Sequence, residues 1–136
     1  MSQDWVKDIH MMHRKYATNI AVRRMNKEKL KEYLKFRINF LYEELNETKL
    51  AFDNNDPEEI VDGLIDLCVV AIGTLDAFEV DAYKAWDEVL KANMNKIIGV
   101  KDGRPNPLGL PDLTKPDDWT PPSHEDNHGN IPNDIR

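Results

Sequence analysis

The sequence has fewer basic than acidic residues, and its basic residues form no long run. It contains 25 Asp and Glu against 18 Lys and Arg, which gives a formal net charge of −7. Because this charge would repel a phosphate backbone, we expect no nucleic-acid partner. If the protein binds a phosphate compound, a cation must mediate the contact.

Cysteine and long apolar runs are also scarce. The single cysteine, Cys68, excludes an internal disulfide and is typical of a reduced compartment, so we expect a cytoplasmic protein. The longest apolar stretch, Leu67 to Ile72, is far too short to span a bilayer, and the N-terminus has no signal-peptide pattern. No membrane partner is expected. The sequence also lacks a Gly-x-x-x-x-Gly-Lys phosphate loop and a Gly-x-Ser-x-Gly nucleophile motif.

Apolar residues at three- and four-residue steps predict an all-α fold. Helices are expected at about residues 4–16, 26–54, 57–78 and 81–98. Asn26 and Asp56 are the expected N-caps of the second and third helices, and Pro57 suits the first helical position. The turn before Pro57 is tight, so these two helices should pack antiparallel. The third becomes apolar nearly all round after Gly63, as a buried helix does.

Composition changes near residue 100. Residues 1–100 are predicted to form one antiparallel helical bundle, completed by the fourth helix, whereas residues 101–136 are rich in Pro and Gly. We interpret this second part as an extended tail and not a second domain. The tail has three open roles: to cover the active site, to wrap a neighbouring protomer, or to remain mobile.

Acidic residues repeat with helical spacing on the second helix. Glu44 and Glu47 are three residues apart and share a helix face, with Glu43 beside them. Like charges so placed repel one another unless a cation compensates. A solvated acidic stripe remains the alternative interpretation for such a motif taken alone.

A second acidic stripe follows on the third helix, at Glu59, Asp62 and Asp66. Asp66 lies inside an apolar run, where an ionised carboxylate is costly unless a metal ion or a buried Lys or Arg pairs with it. The tight turn folds the two stripes towards each other. Converging carboxylate oxygens suit a hard divalent cation, and Mg²⁺ is the best candidate. Zinc and di-iron sites are disfavoured because neither helix contains a His.

The motif Glu44-x-x-Glu47 followed by Glu59-x-x-Asp62 on a helical scaffold resembles the MazG-like nucleotide pyrophosphohydrolases. The resemblance extends from Phe36 to about Lys96. The segments 62–67 and 72–74 are similar to the single-domain branch often carried by bacteriophages.

This resemblance implies hydrolysis of a nucleoside triphosphate between the α and β phosphates, giving the monophosphate and pyrophosphate. It implies Mg²⁺, which Mn²⁺ can replace, held by the four motif carboxylates. Glu43 is a candidate base, and Asp66 an extra ligand or a support for the ligands. The predicted catalytic and metal residues are thus Glu43, Glu44, Glu47, Glu59, Asp62 and Asp66.

Substrate contacts are expected from three further residues. The segment 91–96 resembles an Asn/Lys segment of the family, so Asn93 and Lys96 are predicted to bind substrate. The polar end of an amphipathic helix explains them equally well. Arg37, before the acidic pair, could reach a phosphate or pair with a carboxylate.

The apolar circumference of the third helix predicts a homo-oligomer, a dimer or a tetramer, and the family resemblance agrees. Two other functions stay open. One is a non-catalytic helical interaction or oligomerisation protein. The other is a phosphoribosyl-ATP pyrophosphohydrolase, which shares the fold and the acidic motif.

Overall fold

The computed structural model describes residues 1–100 and 108–135. These residues form five helices: α1 (Trp5–Lys15), α2 (Thr18–Arg23), α3 (Lys27–Asp53), α4 (Pro57–Ala77) and α5 (Ala82–Met94). Two short strands follow, β1 (Ile97–Ile98) and β2 (Leu113–Thr114). The prediction of an all-α fold is confirmed. Residues 101–107, the start of the predicted tail, and residue 136 lie outside the described residues.

Local capping explains where the two long helices begin. The Asn26 side chain accepts a hydrogen bond from the Lys29 amide at 2.9 Å, and Asp56 accepts one from the Glu59 amide at 3.2 Å. Each cap satisfies an amide that the first helical turn leaves without a partner. Pro57 occupies the first turn of α4, and Asn55 takes a positive φ of 54° in the turn. Both predicted caps and the tight turn are confirmed.

Helices α3 and α4 pack antiparallel along most of their length. Near the turn, Gly63 of α4 lies directly against Thr48 of α3. Far from the turn, the Arg37 side chain donates hydrogen bonds to the Thr74 hydroxyl and to the Val70 carbonyl, both at 3.0 Å. Thr48 and Gly63 are both buried, and the small glycine allows the two backbones to approach closely.

The hydrophobic core gathers around Phe78, which is fully buried just after α4 ends. Its ring stacks on Tyr33 at a centroid distance of 5.8 Å, and Val22 and Leu34 complete the cluster. Burying one such aromatic side chain contributes about 1.5–3 kcal/mol. Val22 belongs to α2, a short helix that the sequence pattern did not predict, and the left-handed Ala17 separates it from α1.

The chain divides into two compact units. The first contains residues 1–82 together with residues from Asp126 onward, and the second contains residues 83–125. The predicted boundary at residue 100 lies within the second unit, and the domain assignment stays a prediction. α5 begins at Ala82 in the first unit, and its remaining residues belong to the second unit.

The last part of the chain contributes to the first unit. The Asn127 side chain is buried, and its amide donates to the Asp81 carbonyl and accepts from the Asp81 amide, both at 2.9 Å. The Asn130 backbone N–H donates to the Phe78 carbonyl at 2.7 Å, and Ile131 packs against the core cluster. These residues are therefore anchored on the helical core. The Pro- and Gly-rich composition of the tail did not indicate this anchoring.

The second unit contains most of α5 and the strand pair. β1 and β2 are antiparallel, with Ile97 opposite Thr114 and Ile98 opposite Leu113. The prediction that the fourth helix continues to residue 98 is wrong, because the helix ends at Met94 and the two isoleucines pair as a strand. β-branched residues favour this pairing, but the partner strand is distant in the sequence. The Trp119 indole N–H donates to the Ala92 carbonyl at 2.7 Å.

Candidate active site

The two predicted acidic stripes lie beside each other on α3 and α4. The packing of α3 against α4 brings the stripes together, because the contact between Thr48 and Gly63 fixes the register of the two helices one turn from Glu44. The Thr48 hydroxyl also donates to the Glu44 carbonyl at 2.8 Å, a local bond within α3. Asp62, which precedes Gly63, and Asp66 one turn later are therefore presented to Glu44.

Glu44 is the electrostatic centre of this cluster. Burial raises the pKa of its carboxyl, and the negative charges of four neighbouring carboxylates raise that pKa further. Those neighbours, in order of decreasing effect, are Glu47, Asp66, Asp62 and Glu43. The structure thus brings five of the six predicted metal and catalytic residues together.

One oxygen of Glu44 has a particular environment. Oε2 is buried and has no hydrogen-bond partner among the residues that the structure describes. A buried acceptor without a partner costs about 1–3 kcal/mol, more when it is charged. A cation would satisfy this oxygen and also neutralise the surrounding carboxylates. The donor set, oxygen only and strongly acidic, fits a hard divalent ion.

The carboxylates face one another but do not converge on a single point. Within residues 1–100 and 108–135, no three His, Cys, Asp or Glu side chains stand close enough to hold one metal ion. Glu43, Glu47 and Asp62 are exposed, so their side chains are free to rotate inwards around a cation.

Asp66 and Glu59 differ in their positions. Asp66 is half-buried, and no Lys or Arg pairs with it in the described part of the chain, so the ion-pair explanation of its place in an apolar run finds no support there. Glu59 is exposed in the first turn of α4 and does not contribute to the pKa of Glu44. It shares a helix face with Asp62, three residues on.

The three predicted substrate contacts are not assembled into one group. Arg37 spans α3 and α4 through its bonds to Thr74 and Val70, and no carboxylate pairs with it among the described residues. Asn93 is exposed near the end of α5, whereas Lys96 lies beyond that helix and places its ammonium 5.7 Å from the Trp119 ring centroid. The three-residue spacing of Asn93 and Lys96 predicts a shared helix face, but Lys96 lies outside the helix because α5 ends at Met94. Their role in substrate binding stays a prediction.

A cluster of two histidines and one aspartate was not predicted. One carboxylate, Asp76 on α4, accepts hydrogen bonds from the Nδ1 atoms of His10 and His13 on α1, both at 2.8 Å. His13 is buried, and its Nε2 faces Gly73 beside the Arg37 guanidinium. The spacing of the two histidines suggests a shared helix face, but nothing local in the sequence indicates that α1 packs on the end of α4.

A family comparison gives the chemistry that this arrangement serves. The family model for phosphoribosyl-ATP pyrophosphohydrolase matches residues 12–93, more than half of the chain and both acidic helices. The chain belongs to the phosphoribosyl-ATP pyrophosphohydrolase family. This family is part of the MazG-like all-α superfamily, so the resemblance at that level is confirmed. Searches among curated proteins and among solved structures gave no match.

Members of the phosphoribosyl-ATP pyrophosphohydrolase family are hydrolases that act on phosphorus anhydrides. The chain is therefore an enzyme of the nucleotide pyrophosphohydrolase class, and the interaction-protein alternative loses its support. Pyrophosphohydrolases of this family typically use divalent metals, which agrees with the oxygen donors around Glu44. No helix in the described residues is long and apolar enough to cross a membrane.

Proposed function

We propose that this protein is a Mg²⁺-dependent pyrophosphohydrolase that cleaves a nucleoside triphosphate between the α and β phosphates. The products are the nucleoside monophosphate and pyrophosphate. The observation that carries the proposal is the buried Oε2 of Glu44, which has no partner in the described residues and is surrounded by four other carboxylates. A site of this charge needs a divalent cation before it can accept a polyphosphate.

The proposed ligands of the cation are Glu44, Glu47, Glu59 and Asp62, with Asp66 as a further ligand or a support. When bound, Mg²⁺ neutralises the phosphates and lowers the pKa of a water molecule for attack on phosphorus. Glu44 would anchor the set through its buried Oε2, and Glu47 and Asp62, which are exposed, would complete it. Mn²⁺ is expected to replace Mg²⁺ because both accept oxygen ligands.

Glu43 is the proposed base. It is exposed on α3 beside the cluster and is the neighbour that raises the pKa of Glu44 least. Its exposed carboxylate can take a proton from the attacking water.

Two substrate classes fit the same chemistry. The first is an ordinary ribo- or deoxyribonucleoside triphosphate, which the motif resemblance favours. The second is phosphoribosyl-ATP, which the printed name of the matching family favours. Both carry a triphosphate whose α–β bond is broken. The expected bacteriophage origin and cytoplasmic location remain predictions that belong to this proposal.

We further propose that the enzyme is a homodimer or a tetramer. Apolar side chains remain more than half exposed on the two acidic helices, including Tyr42, Leu45, Phe52, Val61 and Leu64. These exposed side chains support an interface with another copy of the chain, because soluble monomers rarely leave large apolar patches in contact with water. Light scattering should give a multiple of the 15.8 kDa chain mass, and the mass of a monomer at micromolar concentration would contradict this proposal.

The decisive test is pyrophosphate release from a panel of nucleoside triphosphates and phosphoribosyl-ATP, with Mg²⁺ and with EDTA. Wild type is compared with Glu47→Gln and Asp62→Asn, and with Glu32→Gln, an exposed glutamate of α3 outside the cluster, as the matched control. We expect Mg²⁺-dependent release that both site variants lose and the control retains. Faster turnover of phosphoribosyl-ATP than of any triphosphate would select the second substrate class.

A further inference from the structure

Arg37 is a half-buried cation whose hydrogen-bond partners are uncharged. Its Nε donates to the Thr74 hydroxyl and its Nη2 to the Val70 carbonyl, both at 3.0 Å. Its guanidinium also lies 5.7 Å from the Phe40 ring centroid. No carboxylate pairs with it within residues 1–100 and 108–135. Because charges removed from water normally have a charged partner, an arginine held only by neutral groups keeps its charge available to an anion.

The guanidinium lies at one end of the carboxylate cluster. Arg37 precedes Glu44 by two turns of α3, about 10 Å along the helix axis, so the two residues share a face. Val70, which accepts a hydrogen bond from Arg37, follows Asp66 by one turn of α4, and these two residues also share a face. A phosphate chain that extends from the carboxylates along the seam between α3 and α4 therefore reaches Arg37.

Asp76 orients a histidine beside this guanidinium. An ionised carboxylate can only accept hydrogen bonds, so the bond of 2.8 Å between Asp76 and His13 is donated by the Nδ1–H group of His13. In a neutral imidazole Nε2 is then an acceptor. This atom has no partner among the described residues, and it is not one of the enclosed atoms that lack a partner there. Nε2 of His13 is therefore open to a donor.

Gly73 allows the imidazole and the guanidinium to approach each other. A Cβ atom at this glycine would lie 2.8 Å from Arg37 Nη2 and 3.4 Å from His13 Nε2, so both nitrogens face the same point of α4. His13 is buried, with an exposed fraction of 7%, which restricts its ring to this position. Asp76 therefore acts on Arg37 through a neutral ring, and it fixes the surroundings of the guanidinium without pairing with its charge.

We propose that Arg37 binds the pyrophosphate half of the substrate and that His13, held by Asp76, is a positioning residue for its guanidinium. The inference rests on the proposed function. A compact phosphate group suits a cation between two packed helices, whereas a nucleoside needs an open surface. When water attacks, the bond from the α-phosphorus to the bridging oxygen breaks, its electron pair stays with the pyrophosphate, and a proton of the water passes to Glu43. Arg37 stabilises the charge that develops on the leaving pyrophosphate.

The test is calorimetric titration of the full chain with inorganic pyrophosphate in Mg²⁺ buffer, which needs no turnover. Arg37→Gln should weaken pyrophosphate binding about tenfold, the effect of losing one charge-assisted hydrogen bond. Lys35→Gln makes the same charge change at an exposed position of α3 and should bind as wild type does. In a second titration, with Mg²⁺ alone, the affinity of Arg37→Gln should stay equal or increase. A positive charge near the carboxylates is then gone, whereas a damaged fold would lower the affinity for Mg²⁺.

The role of His13 is tested with the same pyrophosphate titration. In His13→Asn the shorter amide can still donate to Asp76 but presents no Nε2 to the guanidinium, so pyrophosphate binding should weaken about threefold. His10→Asn makes the same substitution at the exposed histidine that also bonds to Asp76, and it should bind as wild type does. Because His13 acts through Arg37, adding His13→Asn to Arg37→Gln should cause no further loss. A merely structural histidine would weaken binding equally with and without Arg37.

Four results would overturn the inference. They are no binding of pyrophosphate by wild type, unchanged affinity in Arg37→Gln, equal losses in His10→Asn and His13→Asn, and a further loss in the double variant. Helical circular dichroism shows that each variant has remained folded. The proposed function fails separately, because the titration involves no turnover. Binding of pyrophosphate through Arg37 without hydrolysis of any triphosphate would contradict the proposed function alone, and hydrolysis with unchanged pyrophosphate affinity in Arg37→Gln would contradict this inference alone.

Discussion

Replacing Gly63 by alanine should destabilise the protein even though alanine is the better helix former. A methyl group at this position would overlap the Thr48 hydroxyl and would lie 3.1 Å from Thr48 Cβ and 3.4 Å from Thr48 Cα. Cβ keeps its position when the Thr48 side chain rotates, so rotation can relieve the overlap with the hydroxyl but not the tight contact with Cβ at 3.1 Å. The two helices must move apart, and with them the carboxylates that face each other one turn away.

The magnitude follows from two opposing effects. Glycine to alanine in a helix interior is worth about 1 kcal/mol in favour of the variant. Overpacking a close helix contact costs about 1–3 kcal/mol. We expect a net loss of about 1 kcal/mol in the free energy of unfolding. For a chain of this length, that loss lowers Tm by about 3 °C.

The assay is urea unfolding followed by circular dichroism, with two comparison variants. Gly73→Ala also adds a methyl group to α4, but there its nearest contact is Arg37 Nη2 at 2.8 Å, the end of a long side chain that can shift at the expense of its hydrogen bond to the Val70 carbonyl. It should cost less than Gly63→Ala. In the double variant, Thr48→Ala removes the overlapping hydroxyl and should restore part of the lost stability. A Gly63→Ala protein as stable as wild type, or no recovery in the double variant, would refute this account of the helix contact.

Three further perturbations separate the electrostatic and anchoring contacts. Glu44→Gln should raise the Tm measured in EDTA at pH 7, because the raised pKa of Glu44 shows that its ionised form is costly without a cation. The same variant should lose the stabilisation by Mg²⁺, and unchanged Mg²⁺ stabilisation would contradict this. Hydrogen bonds from Arg23 and Asn130 lower the pKa of Glu79 in the folded state. The ionised Glu79 carboxylate therefore stabilises the fold above its ordinary pKa of 4.5, and this stabilisation is lost as the pH falls through the lower pKa of the folded state. In urea unfolding measured across pH, Glu79→Gln should be less stable than wild type at pH 7 and equally stable in strong acid. Asn127→Ala breaks two hydrogen bonds to Asp81 and should cost about 1–3 kcal/mol in the same unfolding assay, whereas Asn133→Ala at an exposed position should not.

Sequence reasoning was most successful where the signal is local. Asn26 and Asp56 are capping residues directly before helical patterns, and the structure has both caps. The acidic stripes are also local, since three- and four-residue spacing fixes a helix face. One short turn then determines that the two stripes meet, so the cluster around Glu44 needed no knowledge of distant contacts.

Contacts between distant segments could not be predicted in this way. The pairing of β1 with β2 joins residues on either side of a long connection, and the local pattern around Ile97 reads as a continuing helix. Asp76 meets His10 and His13 only because α1 packs on the end of α4. Nothing local distinguishes Asn127 from other polar loop residues, yet its side-chain amide forms two hydrogen bonds with the backbone of Asp81. Each depends on tertiary packing, which composition does not encode.

The most direct test of the central claim is hydrolysis of a nucleoside triphosphate in ¹⁸O-labelled water with Mg²⁺, followed by mass spectrometry of the products. The account predicts monophosphate and pyrophosphate, with the label in the monophosphate, and no turnover by Glu47→Gln. Formation of diphosphate and inorganic phosphate, or a wild-type rate in Glu47→Gln, would contradict it.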